Sequence, residues 1–139
     1  MVNLSKKKDS NIITSGTRKR SVARVTLKEG KGMIRMNGQA IDSFGTDLLR
    51  MKIKEPLILL GDLANKVHID INVCGGGVMS QAEAARLAMC RALAEFGGEK
   101  VRKILYDYDR SFLVADIRRK EVCKPNDSKA RAKRQKSYR

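Results

Sequence analysis

Between Ser128 and Arg139 the chain carries Lys129, Arg131, Lys133, Arg134, Lys136 and Arg139, and no acid. Cations in such a run repel one another, and with Tyr138 as its one large apolar group it has no core to build. Its chemistry is therefore neutralisation of a polyanion. Two further basic clusters have the same character: Arg18, Lys19, Arg20 and Arg24 near the start, and Arg118, Arg119, Lys120 and Lys124 just ahead of the tail. Aromatic interleaving, the mark of base stacking, is limited to Tyr138, so phosphates rather than bases are the expected targets. The sequence has no helix-turn-helix, zinc-finger or RNP signature that would read bases.

Other chemistry-bearing residues point to weaker readings. Gly75-Gly76-Gly77 stands between a strand pattern and a helix pattern, where glycines allow close approach and the helix N-terminus favours an anion. The spacing meets neither Gly-x-x-x-x-Gly-Lys-Ser/Thr nor Gly-x-Gly-x-x-Gly, so no nucleotide site is expected. A tight structural turn, or such a turn that also touches an RNA phosphate, remains. Asp107 and Asp109 flank Tyr108 beside Arg110 and read as surface and capping residues rather than a general acid/base pair. Cys123 lies among Arg119, Lys120 and Lys124, whose charge favours the thiolate, but no histidine base neighbours it. Three cysteines, Cys74, Cys90 and Cys123, with His68 as the single histidine, do not supply a four-ligand zinc site. The expectation is a protein without catalytic, cofactor or metal-ligating residues.

Charge partition sharpens the basic signal. Of 139 residues, 30 are Lys or Arg and 15 are Asp or Glu, for a net charge of +15. Met1–Arg35 holds ten basic and two acidic residues, Met36–Asp116 ten and eleven, and Ile117–Arg139 ten and two. A near-neutral body with two basic ends is the footprint of nucleic-acid binding through phosphates. Neither end interleaves the Leu, Phe or Trp of an interfacial helix, and no stretch approaches a membrane span, so no membrane partner is expected. Lys6–Lys8 and Asp9 interrupt any signal-peptide core, and the odd, widely spaced cysteines suit a reducing compartment.

The elements that position these groups follow from periodicity. Residues 1–14 read as a flexible arm, 15–124 as one globular domain and 125–139 as an extended basic tail. Lys19–Leu27 is the first expected strand, Glu29–Gly32 a turn, and Met33–Met36 a second strand ending at Asn37-Gly38, the two forming a hairpin. Asp47–Lys54 predicts a short helix stopped ahead of Pro56, with Leu57–Leu60 a buried helical turn. Val67, Ile69, Ile71 and Val73 alternate with His68, Asp70 and Asn72, a strand with one apolar face. Ser80–Phe96 predicts a central alanine-rich helix, with Ser80 and Glu83 at capping-box spacing and Gly97-Gly98 ending it. Val101, Ile104, Leu105 and Tyr108 predict a second helix, Phe112–Ala115 a last buried strand, and Pro125–Ser128 a loop into the tail.

Several of these segments resemble one family, the universal small-subunit ribosomal protein numbered nine in bacteria and sixteen in eukaryotes. Gly16–Val25 resembles its opening strand, Gly30–Gly38 its Gly-x-Gly-x-Ile-x-x-Asn-Gly turn, and Gly75–Gly77 with Gln81, Ala82, Ala84, Arg86 and Arg91–Leu93 its central signature. Asp116, Arg118, Arg119, Glu121 and Lys124 are similar to its last strand, and Gln135–Arg139 resembles the eukaryotic and archaeal ending. The resemblance implies an α/β (α+β) two-layer sandwich of the ribosomal-protein-five domain-two type, a sheet covered by helices, in the head of the small subunit. It implies small-subunit ribosomal RNA and neighbouring head proteins as partners, with no small-molecule substrate. Ribosomal RNA would be met by Arg18, Lys19, Arg20, Arg24, Gly75–Gly77, Arg118, Arg119, Lys120, Lys124, Lys129, Arg131, Lys133 and Arg134. Lys136, Ser137, Tyr138 and Arg139 would touch the anticodon stem-loop of peptidyl-site tRNA. The implied location is the cytoplasmic ribosome, with transient nucleolar assembly in a eukaryote. The alternative expectation is a regulator or RNA chaperone acting off the ribosome.

Overall fold

Strand alternation builds the centre of the molecule. A computed structural model describes residues 11–132. Five strands, β1 (Ile12–Arg18), β2 (Ser21–Glu29), β3 (Ile34–Met36), β4 (Gln39–Ala40) and β5 (Val67–Cys74), form one mixed sheet in the order β1-β2-β5-β3-β4. Val67, Ile69 and Ile71 of β5 and Ala23, Val25 and Leu27 of β2 are at most 1% exposed, while the residues between them face outward. One sheet face is thus apolar and covered, as a period of two requires.

The two helices lie on that face. α1 spans Asp47–Leu60, and α2 spans Val78–Tyr108 with a break at Gly98, whose φ of 71° and ψ of −162° are not helical. The expected stop at Gly97-Gly98 is therefore a kink between two limbs. The first limb carries Ala82, Ala84, Ala85, Ala88 and Ala92, all 0% exposed, which lets its backbone lie close to β1 and β2. Gly16 in β1 completes that approach: a Cβ there would stand 2.5 Å from the Ala84 carbonyl oxygen and 2.7 Å from the Ala88 nitrogen. Thr14 Oγ1 donates to the Ala88 carbonyl at 2.7 Å across the same contact. The expected sheet covered by helices, apolar on two sides of the central helix, is the observed fold.

Several local expectations are overturned. Ile12–Thr14, read as the end of a polar arm, are strand residues, because Ile12 and Thr14 pair with Leu27 and Val25. Lys19-Arg20 is the turn of the β1–β2 hairpin, not the start of a strand. β2 and β3 do not form a hairpin, since β5 lies between them, antiparallel to β2 and parallel to β3. Gly30 and Gly32 donate to the Lys66 and Val67 carbonyls at 2.9 and 3.0 Å, carrying the chain across the end of β5. Asn37-Gly38, with φ of 50° and 81°, turns β3 into β4 instead.

α1 runs through Pro56, which lacks the N–H that would bond one turn back. Burial of Ile53, Pro56 and Leu57 against the core outweighs that loss. The expected capping box is absent: Gly77 occupies the N-cap of α2 without a side-chain cap, and Glu83 is turned to cations instead. Phe112–Ala115 is not a strand. Asp109 accepts from the Ser111 N–H at 2.8 Å and caps a 3-10 turn, Arg110–Phe112, that plugs Phe112 beneath the kink with Cys90, Val101 and Leu105. No strand follows it from residue 113 to 132, so the resemblance to a last strand at Asp116–Lys124 is not met in structure.

Candidate nucleic-acid interface

Two clusters a hundred residues apart in sequence meet at one end of the sheet. A cavity of about 920 Å³ is lined by Thr17, Arg18, Lys19, Arg20, Ser21 and Val22 of the β1–β2 hairpin, Gly76, Gly77 and Ser80 at the head of α2, and Arg118, Arg119 and Lys120. The glycines earn their place sterically. A Cβ on Gly75 would stand 2.6 Å from the Arg20 carbonyl oxygen, and one on Gly76 2.1 Å from Ser21 Oγ. Both have positive φ, 73° and 63°, the region open to glycine. Ser21 Oγ and Gln81 Nε2 donate to the Gly75 carbonyl at 3.0 and 3.1 Å, so the glycine loop is bound to the hairpin turn. The tight-turn reading accounts for Gly75 and Gly76, while Gly77 has nothing within 4 Å of its Cβ position and opens onto the cavity.

The cations divide into held and free. Arg18 Nε donates to Glu83 Oε2 at 2.7 Å, and its Nη1 lies 2.7 Å from Asp116 Oδ2 without hydrogen-bond alignment, leaving that buried nitrogen short of an acceptor. Asp116 also takes Arg118 through Nε and Nη2, and Glu83 takes Lys52 at 3.2 Å. The Arg118 hydrogen bonds and charge hold the Asp116 carboxyl at about 2, well below its ordinary value. Burial works against ionisation of Glu83, yet the bonds and charges of Arg18 and Lys52 hold it low. Lys19, Arg20, Arg119 and Lys120 are exposed and form no ion pair among the described residues. Lys19 sits at the hairpin tip with φ of 54°, a left-handed conformation that a lysine adopts only at a cost.

The remaining sequence-predicted residues lie elsewhere. Arg24 is exposed on the uncovered sheet face, outside the cavity. Lys124 approaches Glu121 at 4.0 Å from three residues away in sequence, and Arg131 reaches the same carboxylate at 2.7 Å across the turn at 125–128, where Asn126 has φ of 66°. Lys129 is exposed. Lys133, Arg134, Lys136, Ser137, Tyr138 and Arg139, like the Lys6–Lys8 arm, lie outside the described residues.

Sequence reasoning named Arg86 and Arg91 only as part of a resemblance and missed that they anchor the segment just beyond α2. Arg91 donates from Nε to the Leu113 carbonyl at 3.1 Å and from Nη1 to the Ser15 carbonyl at 2.9 Å, tying the chain beyond α2 to β1. Arg86 bonds Glu55 at 2.7 Å and stands over the Phe112 ring, 4.9 Å from its centroid, while Tyr108 stacks on Phe112 and donates to Glu55. Nothing in local spacing announces these long-range pairs. Cys90 is buried behind this cluster, and burial pushes its thiol up to about 12. Among the described residues no group of three or more His, Cys, Asp or Glu could hold a metal ion, and no helix is long and apolar enough to cross a membrane.

Fold and site together define a small two-layer α/β domain that presents cations from both terminal regions at one end of its sheet. The chain belongs to the ribosomal protein S9/S16 family, which it matches over residues 16–139. It is 47% identical over 129 residues to the small ribosomal subunit protein uS9 of Pyrobaculum aerophilum, covering 92% of this chain and 91% of that protein. It is 46% identical over 127 residues to the uS9 protein of Methanothrix thermoacetophila, covering 91% and 96%.

Proposed function

We propose that the protein is a structural component of the small ribosomal subunit, working in the cytoplasmic ribosome by holding ribosomal RNA through its phosphates and carrying out no catalytic step. Convergence of Lys19, Arg20, Arg119 and Lys120 on one cavity, free of carboxylate partners among the described residues while Arg18 and Arg118 are neutralised, supports the reading most directly. Four exposed cations around a glycine turn offer a phosphate backbone several charge-assisted bonds with no base to read, so they position the protein rather than select sequence. The glycines Gly75–Gly77 and the cations Arg24, Lys124, Lys129, Arg131, Lys133 and Arg134 extend the contact beyond the cavity, while Arg18 and Arg118, held by carboxylates, position it. Lys136, Ser137, Tyr138 and Arg139 then reach the anticodon stem-loop of peptidyl-site tRNA, as the family resemblance of the ending implies. Neighbouring proteins of the subunit head are further partners.

The test replaces Lys19, Arg20, Arg119 and Lys120 with Gln and measures binding of the full chain to small-subunit ribosomal RNA as salt is raised. With about 0.9 counterion released per duplex phosphate contact, the slope of log affinity on log salt should become shallower by about 3.6. An unchanged slope sinks the cavity as an RNA site. A second variant ending at Gln135 should still enter subunits but lower peptidyl-site tRNA occupancy; unaltered occupancy removes the role of the tip.

A further inference from the structure

Arg24 falls outside the cavity because the sheet has a second face. The helices cover the face of Ala23, Val25 and Leu27, and β-register lays out the other one in rows. Ser15, Arg24 and Asn72 stand side by side across β1, β2 and β5. Ile13, Thr26, Asp70 and Arg35 form the next row, reaching β3, and Lys28 and His68 the one beyond. Arg24, Lys28 and Arg35 are exposed and form no ion pair among the described residues, whereas Arg50, Lys52, Lys54 and Arg86 on the helices are each matched to a carboxylate. Asp70 is the one acid in these rows, and it turns to His68, 3.3 Å away.

We infer that this open face is a second RNA-backbone site, in which Arg24, Lys28 and Arg35 seat a double-helical segment of RNA. The inference rests on the RNA-binding reading, which reaches this face only at Arg24, and extends it to a separate site built with Lys28 and Arg35. Strand geometry places Arg24 and Lys28 about 13 Å apart along β2, with Arg35 about 10 Å to the side across β5. Three cations at that spacing, unpaired among the described residues, with Ser15, Thr26 and Asn72 as hydrogen-bonding groups between them, complement the phosphates on one side of a duplex.

The residue types choose among occupants. A protein partner would be anchored by aromatic side chains in a core depleted of charge, and these rows contain no Phe, Tyr or Trp. Single-stranded RNA bound to a sheet stacks its splayed bases on aromatic rings, which are also lacking. A duplex keeps its bases inside and offers phosphates and 2′-hydroxyls, which match arginine, lysine, serine, threonine and asparagine. The face begins at Val22, a residue that also lines the cavity, so both sites border one another at the hairpin.

The experiment uses the full chain and small-subunit ribosomal RNA. The variant Arg24→Gln, Lys28→Gln, Arg35→Gln should make the salt slope shallower by about 2.7, three contacts at about 0.9 each. It should also remove hydroxyl-radical protection from paired nucleotides that the cavity variant leaves protected. The charge-keeping variant Arg24→Lys, Lys28→Arg, Arg35→Lys should hold the parent slope, which separates lost charge from lost folding. An unchanged slope in the Gln variant overturns the inference, as does lost protection confined to unpaired nucleotides or to those the cavity variant also exposes. Cross-linking of position 28 in assembled subunits to a protein instead of RNA overturns it too. If the cavity variant weakens binding and the sheet variant does not, only this inference falls; if neither does, the RNA reading falls with it.

Discussion

Replacing Gly16 with alanine sets two opposed effects against each other. Gly16 has no positive φ, so alanine fits its backbone conformation and would by itself stabilise the fold by about 0.4–1 kcal/mol through the unfolded chain. The added methyl carbon, however, would lie 2.5 Å from the Ala84 oxygen and 2.7 Å from the Ala88 nitrogen, both main-chain atoms of α2. No rotamer change relieves such a contact, so helix and strand must separate by most of an ångström. Overpacking of this kind costs about 1–3 kcal/mol. The Thr14 hydroxyl bond to the Ala88 carbonyl spans the same gap, and stretching it adds about 1 kcal/mol. The balance is a net loss of roughly 2 kcal/mol, which at a slope of about 2 kcal/mol per molar lowers the urea midpoint by about 1 M. Equilibrium unfolding followed by circular dichroism reads this directly. Adding Ala88→Gly should not restore the midpoint, because the clash is with the nitrogen and not the methyl group. An unchanged or raised midpoint for Gly16→Ala, or rescue by Ala88→Gly, would refute the reasoning.

Lys19→Gly should leave stability equal or raise it by about 1 kcal/mol, since glycine relieves the left-handed backbone at the hairpin tip, while weakening RNA binding at low salt; a variant that is both less stable and equally tight-binding contradicts the placement of Lys19. Acid titration tests the Asp116 cluster. Its folded carboxyl sits at about 2, below the ordinary 3.8, so its contribution is fully present above about pH 4 and disappears as pH falls towards 2. Urea midpoints of the parent and of Asp116→Asn should therefore differ near pH 6 and converge near pH 2, and a gap that persists at pH 2 would show that the Arg18 and Arg118 contacts are not what Asp116 supplies.

Legibility in the sequence followed the range of the interaction. β5 was plain because its signal, four apolar residues at alternate positions, is local and repeats, and the alanine stripe of α2 was plain for the same reason. Pairing was not legible, because β2 and β3 are adjacent in sequence and the residues that separate them, Val67–Cys74, come some thirty positions later. Pro56 misled for a different reason: backbone chemistry ends a helix there unless burial compensates, and burial is a property of the assembled core. Phe112–Ala115 has the apolar run of a strand, but the Asp109 cap winds its start into a 3-10 turn and Phe112 packs with Cys90, Val101 and Leu105 as a plug. At the site, the basic residues themselves were evident, and their separation into neutralised and free ones was not.

That separation explains how two repelling ends share one place. Arg18–Arg20 and Arg118–Lys120 are like-charged triplets, and each lies in an end of the chain that carries an excess of eight positive charges. Bringing six cations to one cavity is unfavourable unless some of the charge is cancelled within the fold. Asp116 does this at the junction, contacting Arg18 from one triplet and Arg118 from the other, with Glu83 completing the neutralisation of Arg18. Each triplet therefore contributes one carboxylate-paired arginine, Arg18 largely buried and Arg118 exposed, and two unpaired cations among the described residues. The same carboxylate fixes where the C-terminal segment leaves the body, with Arg91 holding Leu113 just upstream against β1. Removing Asp116 would thus add positive charge to the cavity while loosening the arm that presents half of it. Binding to RNA should respond to the second effect more than the first, because phosphate contacts depend on cations held in position as well as on their number.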